Sequence, residues 1–491
     1  MRTPPGEQRW QQLFDKRSET VIKPGLQRMA EAWDCLGYQK LRMKFVLIGG
    51  TNGKGSTSGM LWHLLLSATY RVGLFSSPHL CHFRERFNLS HQAVTDLMIE
   101  AALERIRSAL PPALYQSLSF FELSTLIAVD LFRDQDCEIA VMEVGLGGRL
   151  DSVNIVSPVL TGICSVDLDH QAWLGSSYRE IAQEKLGISR RKVPLFWNEK
   201  DSVRKGLEPL LRAIREAAET PLLEYPSAFF CDDQHAFYRG LPGESGDESE
   251  NVLSVPLPEW VRRAPAILRH NFGMSFAMFA CLLEQHPPAG SGLSYDRLIS
   301  QAIHNFASPH APWPSTLWGR FQRIRVLSSP PEGGEEPCPV TLFLDVAHNP
   351  AAVREFLHSL EQAGANRPDA TLMIVSFLSD KDINRMLDIL LETGCRLLLF
   401  RANSGRTFLP EQLSARHREL PVFDQFSDAW EYARQYILPE SLSVAVCGSF
   451  LAVGEVLHYF SLYPCHIRET EELVGKEALG PAHALSSSAS L

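Results

Sequence analysis

Three things are scarce in this 491-residue chain, and each scarcity excludes something. Cysteine is scarce: ten residues, at 35, 81, 137, 164, 231, 281, 338, 395, 447 and 465, with no C-x-x-C pair. That excludes a disulfide-built scaffold and predicts reduced thiols that mostly fill cores, as in a cytosolic protein. Long apolar stretches are scarce as well. No segment reads as the roughly 18 uncharged apolar residues that a membrane span needs, and the opening MRTPPGEQRWQQLFDKRSET lacks the apolar centre of a signal peptide. The expectation is a soluble, cytoplasmic protein with no membrane partner. Basic charge is the third shortage: 47 Lys and Arg against 57 Asp and Glu give −10. That balance argues against a general nucleic-acid partner and leaves only a local basic site open.

What is present is ordinary for a globular protein. Hydrophobic residues make up 45% and charged residues 21%. Collagen-like and disordered classes are thereby excluded. At about 150 residues per domain, the length predicts two or three domains. There is no internal repeat or heptad run.

Short apolar runs alternate with helical spacing. Lys44 to Ile48 reads as a buried strand ending in Gly49-Gly50, and Ser56 to Ala68 as a helix. Arg71 to Phe75, Glu138 to Val144 and Val159 to Val166 read as further strands, with Leu123 to Phe132 helical between them. Such alternation predicts an α/β fold with a mostly parallel sheet covered on both faces, whose ligands bind at the strands' C-terminal ends. From about 231 to 259 the chain turns acidic and rich in turn residues, so a surface insert is expected. A proline-rich break from Pro309 to Pro314 precedes a second α/β unit, with strands at Val340 to Leu344, Thr371 to Val375, Arg396 to Phe400 and Leu442 to Val446. Ser328 to Gly334 reads as a hairpin loop inside it. The expected division is residues 1–310, then 311–465, then a disordered tail over 466–491.

Thr51, Asn52, Gly53, Lys54, Gly55, Ser56 and Thr57 follow the first strand and open a helix. Glycines let backbone N–H groups converge on phosphate oxygens, the helix N-terminus adds its positive end, and Lys54 supplies a cation for β/γ-phosphates. The loop is not a strict G-x4-G-K-[ST], because Ile48 stands at the first glycine's position and Gly55 separates Lys54 from Ser56. A specialised ATP-binding family is expected. The plain alternative, a glycine-rich turn that binds nothing, does not account for the lysine and hydroxyl in this context.

Three more polar clusters end predicted strands: Ser76-Ser77-Pro78-His79, then Glu143 with a glycine-rich run to Asp151, then Asp167-Leu168-Asp169-His170. Alone, Ser77 could be a helix cap, Glu143 a surface carboxylate and His170 a loop histidine. Together at one sheet edge, a hydroxyl, a carboxylate and an imidazole suit Mg²⁺ bridging phosphate oxygens. Gly145, Gly147 and Gly148 read as turn geometry. Lys185, ending a helix that begins near Tyr178, reads by itself as a helix C-terminal cation.

These residues, with Phe121-Glu122, Trp173-Leu174-Gly175, Glu184-Lys185-Leu186-Gly187, Trp318-Gly319-Arg320-Phe321, Asp345-Val346-Ala347-His348-Asn349-Pro350, Asp380-Lys381-Asp382 and Gly448-Ser449, occur in order from about 25 to 458. So arranged, the chain resembles the folylpolyglutamate synthase/dihydrofolate synthase family of the Mur ligase superfamily. The resemblance implies a P-loop domain with a mostly parallel sheet, a smaller Rossmann-like C-terminal domain, and an ATP-dependent amide ligase working as a monomer. It implies two Mg²⁺ ions on Ser77, Glu143, His170 and a carbamylated Lys185. ATP contacts then come from Arg320 and Asp345, and L-glutamate is placed by His348 and Ser449. Dihydropteroate or a reduced folate lies by Ser76, Ser77, Pro78, His79, Phe121 and Glu122. Lys54, His170, Lys185 and His348 are the expected catalytic set.

The family's ATP-contacting asparagine falls on Asn271 or on Met274, depending on register, and Gln322 replaces an acidic residue. Positive charge must gather around Lys54 and Arg320, because ATP, folate and glutamate are all anions. The alternatives are another Mur-type amino-acid ligase and a non-catalytic, ATP-gated binding protein of the same fold. Only 49 residues precede Gly50, few for the extra nucleotide-sugar domain that cell-wall ligases resemble.

Overall fold

The run Lys44–Gly49 (β1) alternates its side chains across a sheet that is buried on both faces. Phe45 and Leu47 enter a cluster with the helices Asp96–Ala109 and Phe120–Asp134, and the alternation turns Val46 and Ile48 the other way. The computed structural model describes residues 23–90, 92–241, 252–288, 292–308, 317–328, 338–436, 443–462 and 477–479, together with 14, 17 and 21. They divide into two units, Met1–Thr316 and Leu317–Leu491, each holding a seven-stranded sheet.

In the first unit, β1 is joined by Val72–Phe75 (β2), Phe87–Leu89 (β3), Ile139–Glu143 (β4), Pro158–Ile163 (β5), Leu195–Trp197 (β6) and Leu222–Glu224 (β7). The order is β3-β2-β4-β1-β5-β6-β7, parallel throughout except for β3 against β2. From β1 the chain passes over the place of β4 to reach β2, returns to β4, and then crosses β1 to β5. Successive connections thus leave β1 in opposite directions, which opens a crevice at its C-terminal end.

The helix Lys54–Ser67 packs against Ala266–Gln285 and Tyr295–Phe306. Ala266–Gln285 is long and apolar enough to cross a membrane by length and composition alone, although Arg269 and Glu284 interrupt its apolar run. It is a core helix, with Phe272 through Leu283 buried and Met274 lying on Gly162 of β5. The expected insert also differs. Phe229–Cys231 (β8), His235–Tyr238 (β9) and Leu253–Pro256 (β10) pair as a small antiparallel sheet against that helix, while 242–251 lie outside the described residues. Composition concealed the strands because their polar alternation matches a sheet with one wet face.

The second unit contains Gln322–Ser328 (β11), Cys338–Leu344 (β12), Thr371–Val375 (β13), Arg396–Phe400 (β14), Val422–Phe423 (β15), Ser443–Cys447 (β16) and Glu477–Leu479 (β17). Its order is β15-β14-β13-β16-β12-β11-β17, parallel apart from the β11–β12 pair. Insertion of β16 between β12 and β13 makes a second switch point. Within the expected loose tail, Glu477–Leu479 instead joins the open edge of β11, which removes a row of unpaired backbone groups. The rest of 466–491 and the hairpin loop at 329–334 fall outside the described residues.

Gly73 on β2 lies under the ring of Phe132, closer than a methyl group allows. Gly73→Ala is therefore expected to cost about 1–3 kcal/mol through overpacking, read as a lower urea midpoint for the first unit's transition.

Candidate active site

The phosphate loop takes its shape from two glycines. Gly50 has φ +144° and Gly53 φ +86°, conformations that L side chains rarely adopt. A Cβ on Gly50 would meet Cys164 Cβ at 3.0 Å, and one on Gly53 would meet Asn271 Oδ1 at 2.9 Å. The helix then starts at Lys54 with no side chain capping it, so its first N–H groups face the loop, as an anion site requires. Lys54 Nζ donates to the carbonyls of Gly50 (3.0 Å) and Thr51 (3.1 Å), which curls it over the loop.

Thr51 and Asn52 are tied to the segment leaving β5. Thr51 N–H donates to Ser165 O, and Thr51 Oγ1 donates to Asp167 O and accepts Asp167 N–H. Asn52 N–H donates to Ser165 Oγ, which donates back to Asn52 O. Ser56 is buried. Thr57, read as a nucleotide contact, turns its hydroxyl into the core against the Cys164 thiol at 3.3 Å. Of the two residues that the register leaves open, Asn271 stands at Gly53 of the loop, and Met274 lies one turn on against β5.

Around this loop the neighbouring strand ends converge. Glu143, the last residue of β4, is 2% exposed, and its Oε2 accepts the N–H of Ser77 beyond β2 at 3.2 Å. Lys185 is 3% exposed, and burial, reinforced by the positive charge of Lys54, pushes its ammonium down to about 7. Asp169 opposes that shift, while the thiol of Cys164 feels Lys54, Glu143 and Lys185 together. One locality therefore holds Lys54, Glu143, Lys185 and Asp169. His170 opens its own short helix at φ +51°, with Nε2 3.9 Å from Asp169 Oδ2. Among the described residues, no three His, Cys, Asp or Glu side chains form a ready-made metal cluster. The candidate ligand set is mixed: a hydroxyl, a carboxylate, an imidazole and a lysine.

The glycine run after β4 has a mechanical role. Gly145 lies under the Phe121 ring, and a Cβ on Gly148 would come 2.8 Å from Glu184 O and 2.9 Å from Lys185 O. Gly187 meets Arg149 in the same way. These glycines let the end of the helix Tyr178–Leu186 sit flush on the sheet edge, which brings Lys185 inside. Asp151 holds the run by accepting N–H bonds from Leu146 and Val153, and burial pushes it up to about 6.

Some expected substrate contacts are committed within the fold. Glu122 closes a capping box with Ser119 and pairs with Arg28 at 3.0 Å, so its carboxylate secures a helix start. His79 accepts from Arg86 Nε at 2.9 Å through Nδ1, and burial keeps its ring neutral. Ser76 is buried, Pro78 is exposed, and Phe121 lies partly open between Gly145 and Phe75.

In the second unit, Asp345 accepts N–H bonds from Phe321 (2.7 Å) and Ala347 (2.9 Å). Burial pushes it up to about 6, with Arg320 pulling the other way. The Arg320 guanidinium lies 5.1 Å from the Phe450 ring centroid. His348 Nδ1 lies 2.8 Å from Val346 O and donates to it, which fixes the ring's orientation. Ser449 caps the helix Phe450–Tyr459 and donates to Ser376 O, so its hydroxyl is internal. Sequence reasoning missed Ser165; its only signal is its place at the end of a strand beside the phosphate loop.

A phosphate loop at a switch point, with a carboxylate and a hydroxyl at adjoining strand ends and a buried lysine from a helix end beside them, defines an α/β nucleotide-dependent enzyme. No protein-family model matches the chain. Curated relatives do. It is 36% identical over 440 residues to the dihydrofolate synthase/folylpolyglutamate synthase of Buchnera aphidicola subsp. Schizaphis graminum, covering 86% of this chain and 89% of that one. It is 34% identical over 411 residues to the folylpolyglutamate synthase of Lacticaseibacillus casei, covering 81% and 85%. Among solved structures, a bifunctional folylpolyglutamate synthase/dihydrofolate synthase with Mn, AMPPNP and L-glutamate bound matches 94% of this chain and 100% of its own, with a TM-score of 0.71 and 27% identity. The chain belongs to the folylpolyglutamate synthase/dihydrofolate synthase family.

Gly53→Ala would drive a methyl group toward Asn271 and strain the left-handed turn. It is expected to weaken binding of a non-hydrolysable ATP analogue by about tenfold or more. Gly206→Ala, also at positive φ but with open space around it, should leave that affinity unchanged; calorimetric titration reads both.

Proposed function

We propose that this protein is an ATP-dependent carboxylate–amine ligase that adds L-glutamate to dihydropteroate and to reduced folates. The observation that carries the reading is the phosphate loop with Lys54, Glu143 and the buried Lys185 gathered beside it. The relative with Mn, AMPPNP and L-glutamate bound supports it for nucleotide, divalent metal and amine alike.

A carboxylate does not condense with an amine in water, because it is a poor electrophile and its oxide a poor leaving group. Transfer of the γ-phosphoryl group to the acceptor's carboxylate gives an acyl phosphate and ADP. The glutamate amine then attacks the acyl carbon, the C–O bond to phosphate breaks, and the amine gives up a proton. The loop's N–H groups and Lys54 take the nucleotide phosphates, with Lys54 exchanging two backbone carbonyls for phosphate oxygens. Ser77, Glu143 and His170 fit a hard divalent cation by donor type; bound there, such an ion supplies positive charge to the transferring oxygens. His348 helps place the incoming glutamate, and Ser449 steadies the adjoining loop.

An ammonium at Lys185 would repel a metal. Burial favours its neutral amine, which attacks CO₂ to give a carbamate and release one proton, turning a cation into an anion. With that inversion Lys185 would join Ser77, Glu143 and His170 as a residue able to hold divalent cations, two of them on our reading. Arg320 and Asp345 serve the nucleotide, and Phe121 with the Ser76–His79 turn serves the pterin-bearing substrate. The protein works as a monomer in the cytoplasm.

Purified protein with ATP, Mg²⁺ and labelled L-glutamate should incorporate label when offered dihydropteroate or a reduced folate. Absence of incorporation with both acceptors would overturn the ligase reading. Lys185→Ala is expected to lose about a hundredfold or more in turnover, the upper range for disturbed metal sites. Short carboxylic acids should restore part of it, and ¹³C-bicarbonate should give a carbamate resonance in the parent protein only. An active, acid-insensitive variant would remove the carbamate from the mechanism.

A further inference from the structure

Among the described residues, no strand beyond β6 continues pairing with the segment Val166–Asp167, yet this is where the phosphate loop is fastened. Two side chains fill the gap. Glu199 Oε2 accepts the N–H of Val166 at 2.7 Å, and Lys205 Nζ donates to the carbonyl of the same residue at 2.6 Å. Lys205 also pairs with Glu199 Oε2 at 3.1 Å and with Asp167 Oδ1 at 3.5 Å. Its ammonium stands 5.3 Å from the ring centroid of Tyr178, the first residue of the helix that ends near Lys185. The lysine side chain is 6% exposed and that of Glu199 5%. Glu199 Oε1 is used too, accepting the N–H of Asp201.

The geometry points to Lys205, acting with Glu199, as a positioning residue of the nucleotide site. The pair brackets both polar groups of the Val166 peptide as a neighbouring strand would, and so fixes Ser165–Asp167. Through Thr51 and Asn52 that segment fixes the phosphate loop, and at its far end lie Asp169 and His170. The contacts of Lys205 are with Val166, Asp167, Glu199 and Tyr178, so it acts on the loop through these residues. A cation is needed at its position because Asp167 and Glu199 are both acidic, and burial raises the Asp167 carboxyl against the pull of Lys205.

The inference rests on the nucleotide-ligase reading, so its test reads nucleotide affinity apart from turnover. The full chain and its Lys205→Met and Lys205→Arg variants are titrated with Mg·ADP at a temperature where circular dichroism shows each folded. Lys205→Met should bind Mg·ADP about tenfold more weakly and raise the KM for ATP in parallel, the size seen when groups supporting a metal site are removed. The KM for the folate acceptor should stay within about twofold, since distant sites respond independently. Lys205→Arg should recover most of the nucleotide affinity. Unchanged Mg·ADP affinity in folded Lys205→Met would overturn the inference, as would a parent protein that binds no Mg·ADP. If Lys205→Met does not fold, Glu199→Gln takes its place: weaker binding supports the bracket and unchanged binding overturns it. A parent protein that binds Mg·ADP but incorporates no glutamate fails the ligase reading alone.

Discussion

Five hydrogen bonds between Thr51-Asn52 and Ser165–Asp167 hold together what the sheet alone would leave as two separate loops. Strand pairing ends with β5 at Ile163, and side-chain and backbone polar groups take over from there. Their importance comes from where they act. A phosphate site built from backbone N–H groups works only if those groups are held before the ligand arrives, because ordering them on binding would consume affinity.

Charge follows the same logic. Lys54, Lys185 and Lys205 lie in a chain whose balance is −10, and two of the three ammonium groups are deeply buried. Lys205 is matched by carboxylates. Lys185 has Asp169 and Asp167 in reach but also Lys54, and burial together with Lys54 pushes its ammonium down to about 7. The bulk charge is a surface property, while the site's chemistry depends on a few groups where the dielectric is low.

Much of this was legible from residues. The phosphate loop, the strand before it and the polar strand ends are local features: a glycine where φ is positive, a lysine at a helix start, a carboxylate closing an apolar run. The parallel sheets followed from alternation. What stayed hidden depends on the partners that folding supplies. Glu122 looks the same in sequence whether it meets a ligand or Ser119 and Arg28, and Ser449 the same whether it meets glutamate or caps a helix. The small sheet at β8–β10 hid in an acidic stretch because half of its side chains face water. Lys205, amid the charged run Asp201–Lys205, gave no sign that it would be buried.

The apolar helix Ala266–Gln285 sets an order on the making of this protein. It lies on β5 and on the phosphate-loop helix, and its Asn271 stands against Gly53, more than two hundred residues earlier in the chain. As the chain leaves the ribosome, the phosphate loop emerges early but lacks this support until the long helix follows. The apolar face of the loop's helix stays uncovered through all of that synthesis. Non-local closure of this kind is slow and exposes sticky surface to other chains. A ribosome stalled before residue 266 therefore carries a phosphate loop without its buttress.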